Sequence, residues 1–286
     1  MYSFHQGYQK VLGSDISGIP GMSNGIQNAK PMGELISLKG KTAIVTGGAM
    51  GMGLCTVNRL CEAGADVVIV DVADEYAEKA LEYLSAQNYN VKYFKADLRD
   101  VKQIQAAVDF ARKEFGKIDI LVNNAAVWSH RTLEEITEDS WDEIVDVNLK
   151  ACMFFTQAAA EVMEAQGTGG KIVNIASVAG LSADRQPLMF EYVASKSAVI
   201  ALTKSLAKKM KSINVNINCV VPGGMITPGA INTVRSEAAQ ALKMPPCPVS
   251  DPDEVARVVY MLTTDISNFM QGAVVTVDGG DSVHVQ

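Results

Sequence analysis

From Lys39 onward the chain alternates short apolar runs with longer amphipathic ones: TAIVTG, GLCTVNRLCEAG, DVVIVD, EYAEKALEYLSAQ, VKYFKAD, VKQIQAAVDFARKEFG and IDILVNN. The short runs carry four to six apolar or β-branched residues, the composition of a strand buried on both faces. The longer runs repeat their apolar residues at helical spacing. A helix between each pair of strands lets successive strands run parallel, with the helices covering both faces of the sheet. The pattern continues through a helix after Thr137, the run GKIVNIAS, a helix containing YVASKSAVIALTKSLAKKM, the run INVNINCVVPG, a helix DEVARVVYML and a last run GAVVTVDGG. Seven strands and at least six helices predict one α/β domain over residues 38–286, a doubly wound parallel sheet of Rossmann type. The stretch Gly223–Pro248 has four prolines after Gly223 and predicts a flap. Residues 1–37 show little periodicity and predict an arm, either loose or laid over a neighbouring subunit.

The first strand runs into four glycines within TGGAMGMG, and a helix follows. Such a loop is either an ordinary tight turn or a place where backbone must come close to a ligand. In the second case Gly47 permits the turn, Gly51 and Met52 present backbone to a pyrophosphate, and Gly53 lets the helix start close to the sheet. The helix N-terminus then offers free N–H groups to the phosphates. The spacing is not the commoner G-x-G-x-x-G, and the absence of G-K-[ST] disfavours a nucleoside-triphosphate loop. Asp71 ends the next strand eighteen residues after Gly53. A carboxylate there accepts hydrogen bonds from ribose hydroxyls and repels a 2′-phosphate, which points to NAD(H) over NADP(H).

Tyr192 and Lys196 stand four apart on a predicted helix, on one face. A phenol has an ordinary pKa of about 10 and is a poor base near neutrality. Bringing it down to neutrality takes about 4 kcal/mol of differential interaction, within reach of a nearby ammonium and a cationic nicotinamide. Ser177 ends the run GKIVNIAS, at the carboxyl end of a central strand, where ligands bind in doubly wound sheets. Its hydroxyl either caps a turn or holds a substrate oxygen near Tyr192.

A net charge of −7 gives no footprint for a nucleic-acid backbone. The five cysteines form no C-x-x-C pair and no zinc spacing, so no metal site and no disulfide framework is expected. No signal peptide and no membrane span is predicted, and free thiols suit a reducing cytoplasm.

The motifs TGGAMGMG, NNAA (Asn123 to Ala126), Asn148 in DVNLKA, Ser177 in NIAS, YVASK and PGGMIT (Pro222 to Thr227) occur in this order, and together they resemble the short-chain dehydrogenase/reductase family. The resemblance covers Leu38 to Gly280. It implies Tyr192 as general acid/base, Ser177 as the group orienting the carbonyl or alcohol, and Lys196 as ribose ligand and modulator of Tyr192. It further implies that Asn148 holds a water of a proton relay. Asp97 and Leu98 would face the adenine, and Asn124 and Ala125 would line the cofactor. Pro222, Gly223, Met225 and Thr227 would pass the nicotinamide. The reaction so implied moves a hydride between NAD(H) and a carbon bearing a hydroxyl or ketone, in a cytoplasmic homo-tetramer acting on a small molecule.

Three departures stand out: Ala126 where glycine is usual, a longer loop between Ser177 and Tyr192, and the N-terminal arm. Met189 in the longer loop and Met225 near the flap suit a broad apolar ligand, although packing within the protein is the other use of such side chains. Within the family the likeness to bacterial hydroxysteroid dehydrogenases implies a steroid ketone, with the C20 ketone as the specific expectation. The alternatives are a dehydrogenase of sugars, polyols or small secondary alcohols, and an NAD-sensing binding protein that has lost the chemistry.

Overall fold

The computed structural model describes residues 29–182, 188–228 and 249–283. The chain divides into two units, Met1–Ile36 and Ser37–Gln286. In the first, the described part is one helical turn, Met32–Leu35. Most of the expected arm and of the expected flap lies outside the described residues.

The second unit is built on a seven-stranded parallel sheet. Its strands are β1 (Thr42–Thr46), β2 (Asp66–Asp71), β3 (Val91–Lys95), β4 (Ile120–Asn123), β5 (Gly170–Ile175), β6 (Val215–Pro222) and β7 (Val274–Val277). They lie in the order β3-β2-β1-β4-β5-β6-β7, so the chain reverses direction across the sheet between β1 and β4. Such a switch opens a crevice at the carboxyl ends of the strands. The central strands β1 and β4 are buried along their whole length, as continuous apolar runs require when helices cover both faces.

The helices are α1 (Gly51–Glu62), α2 (Asp74–Ser85), α3 (Val101–Phe115), α4 (Glu138–Val145), α5 (Ala151–Gln166), α6 (Phe190–Ser212) and α7 (Pro252–Thr263). One apolar layer joins α1, α2 and α7 to the sheet through residues such as Val57, Leu84 and Val259. The other joins α3, α5 and the end of α6 through Ile104, Phe155 and Met210. Between the central strands and the second layer runs a polar seam. The Asn123 amide donates to Asn174 Oδ1 at 2.9 Å and to Thr156 Oγ1 at 3.1 Å, and the Asn174 amide donates to Thr203 Oγ1 at 3.0 Å. Buried amides are costly unless paired, so this seam fixes how α5 and α6 sit on the sheet. A two-residue parallel bridge, Gly224–Met225 with Val249–Ser250, ties together the two ends of the segment beyond β6.

Candidate active site

A cleft of about 520 Å³ opens at the carboxyl ends of the strands, bounded by the glycine loop, β2, β4, β5 and the chain beyond β6. Its base is a turn that only glycine can make. Gly47 has φ +62°, and a Cβ there would lie 2.8 Å from Ala125 Cα. A Cβ on Gly53 would lie 2.0 Å from the Gly47 carbonyl oxygen and 2.6 Å from Asn124 Nδ2, so the helix starts tight against both the loop and the residue that follows β4. Met50 precedes α1 without a side-chain cap, in contrast to Asp100 before α3 and Asp251 before α7, whose side chains accept from helix amides. The first amides of α1 therefore face the cleft as donors.

Thr46 and Asn124 lock this loop to β4. The Thr46 hydroxyl accepts from the amides of Asn124 and Ala125 at 3.0 Å, and the Asn124 side chain donates to the carbonyls of Thr46 and Gly47. At the far end of the cleft, Asp71 Oδ2 accepts from the Ala49 amide at 3.1 Å, and Oδ1 accepts from Val72 and Ala73. These bonds fix a carboxylate beside the exposed Val72. Asp97 also reaches the cleft, but Arg99 pairs with its carboxylate and holds it below the usual carboxylate range. Arg99 itself lines the cleft beside Leu98. The uncapped helix, the glycine loop and the anchored carboxylate together fit a dinucleotide.

The reactive groups converge at the other end. Ser177 follows β5 and caps a turn, as one of its two expected uses requires. Its hydroxyl accepts from the Ala179 amide at 3.2 Å, capping a turn, and also hydrogen bonds to Tyr192. The turn Val178–Gly180 packs against α6 so closely that a Cβ on Gly180 would come within 2.8 Å of the Lys196 backbone. Lys196 is buried, donates to the Ile175 carbonyl at 2.8 Å, and lies 5.7 Å from the centre of the Tyr192 ring. Burial pulls the Lys196 ammonium down to about 8. Burial pushes the Tyr192 phenol up, and the Ser177 bond opposes this. The expectation of a lowered phenol is thus corrected for the chain by itself. One N–H of the ammonium is given to the Ile175 carbonyl, and desolvation of the phenol prevails.

Asn148 lies in a π turn, Asp146–Lys150, that interrupts the helical run from α4 to α5. A widened turn of this kind recurs at functional sites. Its side chain is buried and makes three hydrogen bonds: the oxygen accepts from the Val127 amide at 2.8 Å, and the amide donates to the Val127 carbonyl at 2.9 Å and to Ser195 Oγ at 3.1 Å. Asn148 thereby braces Val127 against the helix that carries Tyr192.

Gly47, Gly51, Met52, Gly53, Asp71, Asp97, Leu98, Asn124, Ala125, Ser177, Tyr192, Lys196, Pro222, Gly223, Met225 and Thr227 all reach the cleft. Asn148 stands behind it. Met189 does not line it; the residue precedes α6 and its carbonyl accepts from the Val193 amide. Residues that the sequence did not single out for these tasks are Thr46, Val127 and Ser195, whose roles exist only across long sequence separations. The hydroxyl at the end of β1 was the one visible sign. Trp128 reaches the cleft and sets its ring edge-on to Tyr192, with centroids 6.2 Å apart.

Residues 41–238 match the model of a family described as short chain dehydrogenase. The 2-dehydro-3-deoxy-D-gluconate 5-dehydrogenase of Escherichia coli is 35% identical over 248 residues, covering 85% of this chain and 96% of that protein. The 7alpha-hydroxysteroid dehydrogenase of Bacteroides fragilis is 34% identical over 252 residues, covering 85% and 95%. A short-chain type dehydrogenase/reductase from Mycobacterium marinum superposes with a TM-score of 0.79 at 27% identity, covering 87% of this chain and 98% of that one.

Proposed function

The chain belongs to the short-chain dehydrogenase family, and from that premise we propose that it is an NADH-dependent reductase of a steroid ketone, working reversibly on the corresponding secondary alcohol. The observation that carries the chemistry is the meeting of the Ser177 hydroxyl, the Tyr192 phenol and a buried lysine at the end of a cleft that begins at an uncapped glycine loop. The nicotinamide, when bound, gives or accepts the hydride. The chain does the rest. Ser177 and Tyr192 hold the substrate oxygen between two hydroxyls. Tyr192, kept protonated by burial, is ready to donate its proton to the oxygen of a ketone undergoing reduction. Lys196 has one described acceptor and directs its other N–H bonds toward the ribose.

Asp71 supports NAD(H). Its carboxylate is anchored by three backbone amides beside Val72, where a 2′-phosphate would meet negative charge and no neutralising side chain on that turn. Trp128, Val127 and Met225 give the substrate end an apolar lining, which favours a steroid over a sugar. A relative named for hydroxysteroid dehydrogenation supports this reading, and one named for a sugar acid supports the second. The retained set of Ser177, Tyr192 and Lys196 speaks for catalysis over cofactor sensing. The homo-tetramer and the cytoplasmic location belong to the same reading and are open to sizing by light scattering and to fractionation.

The test is NADH oxidation, followed by absorbance, against steroids carrying a 20-, 3-, 7- or 12-ketone, against keto sugars and against small ketones, with NADPH in parallel. Turnover of a steroid with NADH is expected, the C20 ketone being the specific expectation. Turnover of sugars alone would overturn the steroid reading and leave the chemistry standing. Tyr192→Phe is expected to lower turnover by about 10²–10⁴-fold with NADH binding retained. Full activity in that variant would overturn the acid/base assignment.

A further inference from the structure

Glu191 directly precedes the reactive tyrosine and has no exposed surface. Its Oε1 accepts from Arg131 Nη1 at 3.4 Å and from Ser140 Oγ at 3.5 Å, while Oε2 has no hydrogen-bond partner among the described residues. A carboxylate in such a place is a poor stabiliser, since its desolvation is met by two long bonds on one oxygen. An apolar side chain or a glutamine would burden the fold less. The charge is better explained by what it holds together.

Three elements meet at Glu191: the first turn of α6, the first turn of α4 through Ser140, and the segment Val127–Arg131. That segment is pinned at both ends. Val127 is bonded in both directions to Asn148. Arg131 bonds to Ser129 and Glu191 with its guanidinium, and its amide donates to the Leu188 carbonyl at 2.8 Å. Leu188 has φ +61°, a conformation that disfavours a branched side chain and needs such an anchor. Trp128 lies between the two pins, with its ring on Tyr192.

We propose that Glu191 and Arg131 form a positioning pair that clamps the Val127–Arg131 segment onto the start of α6, and so holds the Trp128 ring against the Tyr192 ring and fixes where the phenol stands at the edge of the cleft. The proposal rests on the reading of Tyr192 as the acid/base. Neither Glu191 nor Arg131 touches the reacting atoms; both act through Trp128 and Tyr192. Trp128 and Trp141 are the two tryptophans of the chain, so a Trp141→Phe background leaves Trp128 as the sole reporter.

In that background, Glu191→Gln keeps the shape and removes the charge. The expected result is a red shift and greater acrylamide quenching of Trp128 emission, with kcat for ketone reduction lowered about 10- to 100-fold and the NADH dissociation constant within about twofold. Arg131→Gln should give the same pattern and carries the test should Glu191→Gln not fold. The double variant should lose no more than the worse single one, since the two residues act as a unit. Unchanged emission and unchanged kcat would overturn the proposal. So would a loss of activity that merely follows the folded fraction, with Trp128 emission of the folded protein unmoved. Trp128 emission reads the clamp even in Tyr192→Phe, so failure of the clamp and failure of the acid/base reading are told apart.

Discussion

The two ends of β5 each hold a buried lysine. Lys171 sits at its amino end and Lys196 meets its carboxyl end through the Ile175 carbonyl. Burial pulls both ammonium groups down to about 8. Their surroundings differ. Lys171 is surrounded by Asn216 Oδ1 at 3.0 Å, Ser267 Oγ at 3.4 Å and Asn268 Oδ1 at 2.6 Å, three acceptors for three N–H bonds. Lys196 has one acceptor among the described residues, a backbone carbonyl, and borders the cleft. An equally perturbed lysine is thus a closed structural joint in one case and an open hand in the other. The perturbation alone does not find the site; the count of unused donors facing a cavity does.

The sharpest break of this pair is Lys196→Met. It is expected to lower kcat/KM for ketone reduction by about 10²–10⁴-fold, since under the proposed function the ammonium would orient the ribose beside the phenol, whose ring centre lies 5.7 Å from it. Steady-state kinetics with NADH titration would show a weaker cofactor affinity as well. Retained activity would place Lys196 with Lys171 as a structural group.

The second prediction concerns pH. With its ammonium at about 8, Lys196 is charged at neutrality and loses its proton as pH rises through that value. Tyr192, pushed up by burial, stays protonated over the same range. The kcat/KM for reduction is therefore expected to be level below about pH 8 and to fall up to tenfold per pH unit above it. A profile level to pH 10 would show that the Lys196 charge is not required. Lys171 titrates in the same window but is far from the chemistry, so Lys171→Met should leave this profile in place.

How much of this was legible in the sequence follows the range of each interaction. The sheet and its parallel sense come from patterns local to each segment, and the seven strands occupy the runs that the alternation predicts, whereas the place of the reversal, between β1 and β4, is a property of the folded sheet. Gly47, Asp71, Ser177, Tyr192 and Lys196 were readable because each lies at a fixed offset from a strand end or within one helical turn of a partner. The π turn was not readable. Nothing in DVNLK distinguishes it from ordinary helix, and the bonds that hold Asn148 there reach to Val127 and Ser195, across 21 and 47 residues. Glu191 reads as a solvated first-turn acid until α4 and Arg131 fold over it. Met189 was placed at the substrate mouth on composition, whereas its backbone position makes it the residue before a helix.

The smallest expected effect belongs to the other lysine and concerns stability. Lys171→Met removes the ammonium and leaves the Asn216 and Asn268 oxygens to find water, a loss of about 1 kcal/mol at pH 7 by denaturant unfolding, with kcat and KM unchanged. Its pH dependence has a definite sign. The folded Lys171 holds its proton less tightly than an ordinary lysine at 10.5. Between about 8 and 10.5 the unfolded chain therefore binds more protons than the native one, and wild-type stability gains from Lys171 as pH rises. Below about 8 both states are protonated and the burden of the buried charge is constant. The variant lacks this gain, so its deficit relative to wild type should widen from pH 8 to 10. A deficit that stays level across that range would mean that Lys171 is not held as a desolvated ammonium, and would dissolve the likeness between the two ends of β5.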